Sequence, residues 1–261
     1  MSGGARTVAV RSDDYRGRGE AGERAVPLEV PVAIELNGVA YAVMMATPLD
    51  LDDFLTGFLL SEGLADANEI GEAAFHPVAE GAGVVARLNL PSHRAAPLME
   101  RARRRLGDSS CGICGIESVE AALRPLPPLA ARADVAPEAI RRGLSAMREG
   151  QVLGRETGAT HAAAFCRADG ALVAAREDVG RHNALDKVIG ALARAGEDPA
   201  AGFIAVTSRC SYELVEKTVR ARCPLLVAIS APTGLAVDRA RAAGLTLAVL
   251  ARDDMMLWVE G

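Results

Sequence analysis

The stretch Ser109-Ser110-Cys111-Gly112-Ile113-Cys114-Gly115-Ile116 sets two thiols three residues apart, each followed by glycine. Glycine tolerates positive φ, so the backbone there can turn and leave both sulfurs exposed. Arg101, Arg103, Arg104 and Arg105 precede the pair, and guanidinium groups close to a thiol favour the nucleophilic thiolate. A free cysteine with a pKa of about 8.5 is only a few per cent ionised at neutral pH. Lowering that value by one unit raises the ionised fraction roughly tenfold. Sulfur chemistry is therefore the first expectation, and three forms of it are open. A structural zinc site needs four ligands, but Cys166, Cys210, Cys223, His161 and His182 form no second pair at ligand spacing. A redox pair of thioredoxin type belongs at a helix N-terminus after a strand, whereas this pair follows an arginine-rich run. Persulfide carriage needs only one accessible thiolate with a neighbour to assist or resolve it. Zinc-dependent base deamination is excluded, because His161-Ala162-Ala163 lacks the glutamate of H-x-E and the thiol pair precedes the histidine.

Three polar turns in the second half are the other candidates. Thr207-Ser208-Arg209-Cys210-Ser211 and Ser230-Ala231-Pro232-Thr233-Gly234 place small hydroxyl residues just ahead of expected helices. Free N–H groups and the helix dipole attract phosphate at such ends; as plain N-caps, Ser211 and Thr233 would serve the helices alone. Glu177-Asp178-Val179-Gly180-Arg181-His182-Asn183, followed by Asp186-Lys187, is richer in polar groups than capping requires. It reads either as the wall of a pocket for a heterocycle or phosphate, or as a solvated helix start with an Asp186–Lys187 surface pair.

The elements that position these residues are legible in outline. Asn37-Gly38 between alternating segments at 26–36 and 39–46 signals a hairpin. Leu51, Phe54, Leu55, Phe58 and Leu59 follow helical spacing up to Gly63. A second hairpin is expected over 73–79 and 84–90, then a helix at 94–106 leading to the thiol loop and a helical turn at 117–123. The cluster Pro125, Pro127, Pro128 marks a linker or corner, and Pro137 suits the start of a helix reaching Gly150. Asp169-Gly170 joins strands at 162–166 and 172–175, and a helix covers 183–195. Strands at 203–207, 225–229 and 245–250 then alternate with helices at 212–221 and 235–242. That alternation argues for an α/β fold with parallel, buried strands, whose ligands gather beyond the strands' carboxyl ends. Residues 1–22, rich in Gly, Arg, Ser and Asp, read as a flexible tail. The expected division is that tail, a β-hairpin and helix portion at 23–125 containing the thiol loop at 107–116, and an α/β cofactor-binding portion at 130–261.

Bulk composition sets limits. The chain has 261 residues, half of them hydrophobic, and a net charge of −5; a chain of this size buries roughly 70–75% of its unfolded surface. A net negative charge and scarce aromatics argue against nucleic-acid binding. Five scattered cysteines are not a disulfide scaffold. No signal peptide and no span-length apolar run is visible, so a cytoplasmic protein with no membrane association is expected. Cys166 and Cys223 read as small buried hydrophobes, while Cys210 sits at a proposed ligand-facing turn.

The motifs together resemble a known family, the formate dehydrogenase accessory sulfurtransferases (FdhD). The residues that carry the likeness begin with Asn37-Gly38, Gly57-Phe58-Leu59-Leu60-Ser61-Glu62-Gly63, Cys111-Gly112-Ile113-Cys114-Gly115 and Thr160-His161-Ala162-Ala163-Ala164. They continue through Arg176-Glu177-Asp178-Val179-Gly180-Arg181-His182-Asn183-Ala184-Leu185-Asp186-Lys187, Ser208-Arg209-Cys210-Ser211-Tyr212-Glu213 and Ser230-Ala231-Pro232-Thr233. The resemblance implies a sulfurtransferase that takes persulfide sulfur from a cysteine desulfurase. It passes that sulfur to molybdenum bis(molybdopterin guanine dinucleotide) before the cofactor enters formate dehydrogenase. It implies Cys111 as persulfide bearer, Cys114 as its helper, no resident metal, GDP as a cofactor mimic, and a homodimer. It also implies a three-layer α/β/α fold with a mixed sheet, similar to cytidine deaminases, beside an N-terminal β-rich portion. Cofactor-binding residues carried over are Arg181, His182, Asn183, Ser208, Arg209, Ser230 and Thr233, with the stretch Leu250-Ala251-Arg252-Asp253-Asp254-Met255. In that stretch the family often has an aromatic at position 250 and glycine and basic residues at 253–255, so two carboxylates here would face a polyanion.

Overall fold

The structure, a computed structural model, describes residues 3–15, 19–94, 125–252 and 254–259. The thiol loop with Cys111 and Cys114, the expected turn at 117–123 and nearly all of the expected helix at 94–106 lie outside those residues, as does Asp253.

The first departure from expectation is at the N-terminus. The expected tail is instead a hairpin of β1 (Ala5–Asp13) and β2 (Gly19–Pro27), paired antiparallel from Ala5 opposite Pro27 to Asp13 opposite Gly19. Its side chains are mostly exposed, so the apolar alternation that announces a half-buried strand is missing. Arg24 donates from Nη2 to the carbonyl of Thr157 at 3.2 Å, fastening the hairpin to the second half.

A four-stranded sheet follows, built from β3 (Val30–Leu36), β4 (Val39–Ala46), β5 (Ala74–Val78) and β6 (Gly83–Leu88) in the order β4-β3-β6-β5. Both expected hairpins are present, and β6 lies parallel to β3. Helix α1 (Leu51–Ser61) covers this sheet, packing Phe54, Leu55, Phe58 and Leu59 against Val32, Ile34, Ala86 and Leu88. Full burial of one such large apolar side chain stabilises by about 1.5–3 kcal/mol.

The second half is a three-layer α/β/α arrangement on a six-stranded mixed sheet. Helices α2 (Pro137–Gly150) and α3 (Val152–Thr157) precede β7 (His161–Arg167) and β8 (Leu172–Asp178). Helix α4 (Arg181–Ala195), β9 (Gly202–Val206), α5 (Tyr212–Arg220), β10 (Leu225–Ala228), α6 (Gly234–Ala243), β11 (Thr246–Val249) and β12 (Leu257–Val259) complete it. The order is β12-β11-β10-β9-β7-β8, with β9, β10 and β11 parallel and β7 and β12 antiparallel to their neighbours. Side chains of β7, β9, β10 and β11 alternate across the sheet. Phe165, Ile204, Val206, Leu226 and Leu247 meet α4, α5 and α6, whereas Cys166, Phe203, Ala205, Val227 and Ala248 meet α2. The expected proline linker leads from one face of the sheet to the other: Leu126 and Leu129 pack on the first core, Ala133 and Val135 on the second.

Helices α1 and α4 join the halves. On α1, Asp53, Gly57 and Ser61 lie four residues apart on one face, and on α4 Asp186, Gly190 and Arg194 do the same. The helices run antiparallel, with Arg194 donating to Asp53 at 2.6 Å at one end and Ser61 donating to Asp186 at 2.6 Å at the other. Between them the backbones touch. A Cβ on Gly57 would fall 1.7 Å from the Asp186 carbonyl oxygen, and one on Gly190 would fall 1.9 Å from that of Asp53. No side chain fits without separating the helices. Gly190→Ala should therefore destabilise the fold by about 1–3 kcal/mol or more through overpacking, measured as a lowered urea midpoint with native secondary structure retained.

Candidate functional site

The carboxyl ends of β8, β9, β10 and β11 and the amino ends of α4, α5 and α6 meet at one edge of the main sheet. His161, at the start of antiparallel β7 and opposite Asp178, belongs to the same edge. The candidate residues from all three polar turns are thereby brought together.

The turn between β8 and α4 divides its polar residues into two groups. Asp178 is fully buried and accepts from the Thr47 N–H at 3.0 Å, the Gly180 N–H at 2.8 Å and Asn183 Nδ2 at 2.9 Å. Its remaining partner is Lys187 Nζ at 2.7 Å, also fully buried, which donates further to the carbonyls of Thr47 and Glu177. Asn183 donates to the Met45 carbonyl as well, so its amide nitrogen serves the fold. Glu177 accepts from the backbone of Leu153 and Gly154 and from Thr160, fixing the start of α3. The solvated Asp186–Lys187 pair is not present. Adjacent helical residues point about 100° apart, so each finds a separate partner: Lys187 takes Asp178, and Asp186 takes Lys217. Lys217 Nζ reaches both Asp186 oxygens at 3.0 Å, Ser61 Oγ at 2.8 Å and Glu62 at 3.3 Å. Burial alone would depress the Lys217 ammonium, but Asp186 and Glu62 outweigh it and hold it above its ordinary value.

Arg181 and His182 are the residues of this turn that remain available to a ligand. Arg181 has no carboxylate partner among the described residues. His182 Nε2 is buried without a hydrogen bond, its nearest acidic neighbour being Glu213 Oε2 at 3.9 Å. Burial and then the Arg181 charge push its imidazole down to about 4, so it is neutral at ordinary pH. Burial and Arg181 also lower His161.

The other two turns behave differently from one another. Thr233 is the plain N-cap, its Oγ1 accepting from the Ala236 N–H at 3.3 Å. Ser211 precedes α5 but makes no cap bond, and its Oγ is buried with no partner. The first N–H groups of α5 are thus left to an external acceptor. Ser208 is buried and donates to the Arg209 carbonyl, while the Arg209 side chain is exposed. The Ser230 carbonyl accepts from Leu250, which takes φ 51°, and Ala251 and Arg252 follow, with Arg252 exposed. Asp254 and Met255 are exposed beyond that bend. The edge therefore gathers three helix N-termini with Arg181, Arg209 and Arg252, all features that attract anions. Lys217 and Thr47 escaped the sequence reading. Ser61 and Glu213 lay within motifs that carry the resemblance, but nothing in sequence spacing tied Ser61 to Asp186 or Glu213 to His182.

Cys166, Cys210 and Cys223 are buried free thiols, each pushed up to about 12 by burial. Cys210 belongs with the core despite its place at the turn. Among the described residues no group of three or more His, Cys, Asp or Glu could hold a metal ion, and no helix is long and apolar enough to cross a membrane.

Two outcomes follow. Lys187→Met leaves Asp178 charged and buried, and should cost about 3–5 kcal/mol in chemical denaturation. Alkylation of the native protein at neutral pH should leave Cys166, Cys210 and Cys223 unmodified, and label them only after unfolding, as read by peptide mass spectrometry.

Comparison with known proteins places these features in company. A family model described as "FdhD/NarQ family" matches residues 27–259. "Sulfur carrier protein FdhD" of Variovorax paradoxus (strain S110) is 50% identical over 239 residues, covering 90% of this chain and 84% of that protein. The protein of the same name from Xanthomonas euvesicatoria pv. vesicatoria (strain 85-10) is 50% identical over 238 residues, covering 91% and 84%. The crystal structure of a putative formate dehydrogenase accessory protein from Desulfotalea psychrophila superposes with a TM-score of 0.77 at 23% identity. It covers 98% of this chain and 96% of that one, a likeness of fold.

Proposed function

The chain belongs to the FdhD/NarQ family, and from that premise we propose that it is a sulfur carrier for the molybdenum cofactor of formate dehydrogenase. The Cys111 thiolate attacks the outer sulfur of a cysteine desulfurase persulfide. The donor S–S bond breaks, the donor cysteine leaves as thiolate, and Cys111 becomes the persulfide, with Cys114 as its helper. Attack of the Cys114 thiolate on the inner sulfur then forms a Cys111–Cys114 disulfide and releases the outer sulfur, reduced to sulfide, to molybdenum bis(molybdopterin guanine dinucleotide), bound as substrate at the carboxyl edge of the main sheet. Its phosphates face the α5 N-terminus, Arg181 and Arg209. The reading includes a homodimer working in the cytoplasm, where free thiols are maintained.

The observation that carries this reading is the match, over nine-tenths of the chain, to relatives named as sulfur carriers. Burial of the other three cysteines supports it by leaving Cys111 and Cys114 as the candidates for thiolate chemistry. Incubation with a cysteine desulfurase and cysteine should add one sulfur atom to the peptide carrying Cys111 and Cys114, seen by mass spectrometry. Cys111→Ala should abolish the gain; a variant that still carries labelled sulfur would show that the bearer lies elsewhere.

A further inference from the structure

Facing side chains along the seam of α4 and α5 form two rungs. The inner rung is Asp186 with Lys217, and it is complete: Lys217 is already held by Asp186, Ser61 and Glu62. One helical turn nearer the sheet's carboxyl edge, the outer rung is His182 with Glu213, and it is open. The 3.9 Å between Nε2 and Oε2 is too long for a hydrogen bond. The Glu213 side chain is 35% exposed, and Ser211 Oγ, at the same turn, is buried and unpartnered. His182 stays neutral because burial and Arg181 oppose its protonation, so no full positive charge at that imidazole occupies the Glu213 carboxylate.

This corner and its surroundings have opposite chemistry. Arg181, Arg209 and the helix N-termini attract anions, whereas a carboxylate repels them and accepts N–H donors. A ligand that fits both must carry an anionic part and a donor-rich edge. We propose that Glu213, backed by His182, is a specificity-determining residue that reads the 2-amino-4-oxopyrimidine edge, the ring portion common to guanine and pterin. A carboxylate accepts the ring N–H and the exocyclic amine together, in the paired manner in which it accepts a guanidinium. Adenine presents a ring acceptor at the corresponding place, and hypoxanthine lacks the amine. This inference rests on the reading that a guanine dinucleotide cofactor is bound at this edge.

Isothermal titration of the full chain with GDP and IDP, and with pterin and lumazine, tests it. The members of each couple differ in the 2-amino group. Wild type should prefer GDP over IDP by about ten- to hundredfold, the range expected for a hydrogen bond to a charged acceptor, if guanine is the ring that is read. The same preference for pterin over lumazine identifies the pterin. Glu213→Gln should erase the preference while keeping binding of both nucleotides, and Glu213→Asp should retain part of it. A preference that survives in a folded Glu213→Gln protein, an equal loss of both nucleotides, or an indifferent wild type overturns the inference alone. If Glu213→Gln does not fold, an undiminished preference in Glu213→Asp overturns it. Wild type that binds none of the four compounds overturns the cofactor reading as well.

Discussion

The closest constraint in this molecule is the crossing of α1 and α4 at Gly57 and Gly190. Backbone meets backbone there, and each end of the contact is closed by a buried carboxylate: Asp53 with Arg194, and Asp186 with Ser61. Removing a carboxylate from water is costly unless its oxygens find donors, and here both find them across the interface. The pairing therefore sets register as well as affinity. A shift of either helix by one turn would strand two charges and drive a Cβ into a carbonyl. Asp186 then carries the constraint on to α5 through Lys217, so the position of α5, and with it Ser211 and Glu213, follows from that of α1.

Asp178 applies the same logic on the other side of α4. Its four donors come from the segment after β4, from its own turn, and from two positions on α4. A saturated buried carboxylate of this kind holds the strand-to-helix turn rigid. Arg181 and His182 are the residues of that turn that no such contact claims, and they are the ones presented at the sheet edge. Rigidity beneath and available side chains above are what a binding edge requires.

Most of the fold was legible in the sequence because its strands are buried and its turns carry strong signals. Asn37-Gly38 and Asp169-Gly170 marked two hairpins, and the alternation of short apolar runs with amphipathic helices marked β9 through β11. What was not legible has physical reasons. The strands β1 and β2 expose most of their side chains and show no apolar period; α3, six residues long, and β12, three residues long, fall below the length at which periodicity means anything. The site was legible in part. The concentration of polar residues from Glu177 to Lys187 was visible, but its division into members that hold the fold and members left open at the sheet edge was not. The partners that decide that division, Thr47 and Ser61 among them, stand more than 120 residues away. Thr233 proved a plain cap and Ser211 did not, a difference that identical residue chemistry at two helix starts does not encode.

The α1–α4 crossing also has a temporal side. Residue 61 must wait for residue 186, and residue 53 for residues 176 and 194, before the polar face of α1 has its distant partners. On the ribosome, the four-stranded sheet and its helix emerge well ahead of the segment that completes them, with the Asp53 carboxylate, the Ser61 hydroxyl and a bare glycine groove still turned to water. Synthesis of α4 closes that groove, so the first half of this protein reaches its final form only as the second half arrives.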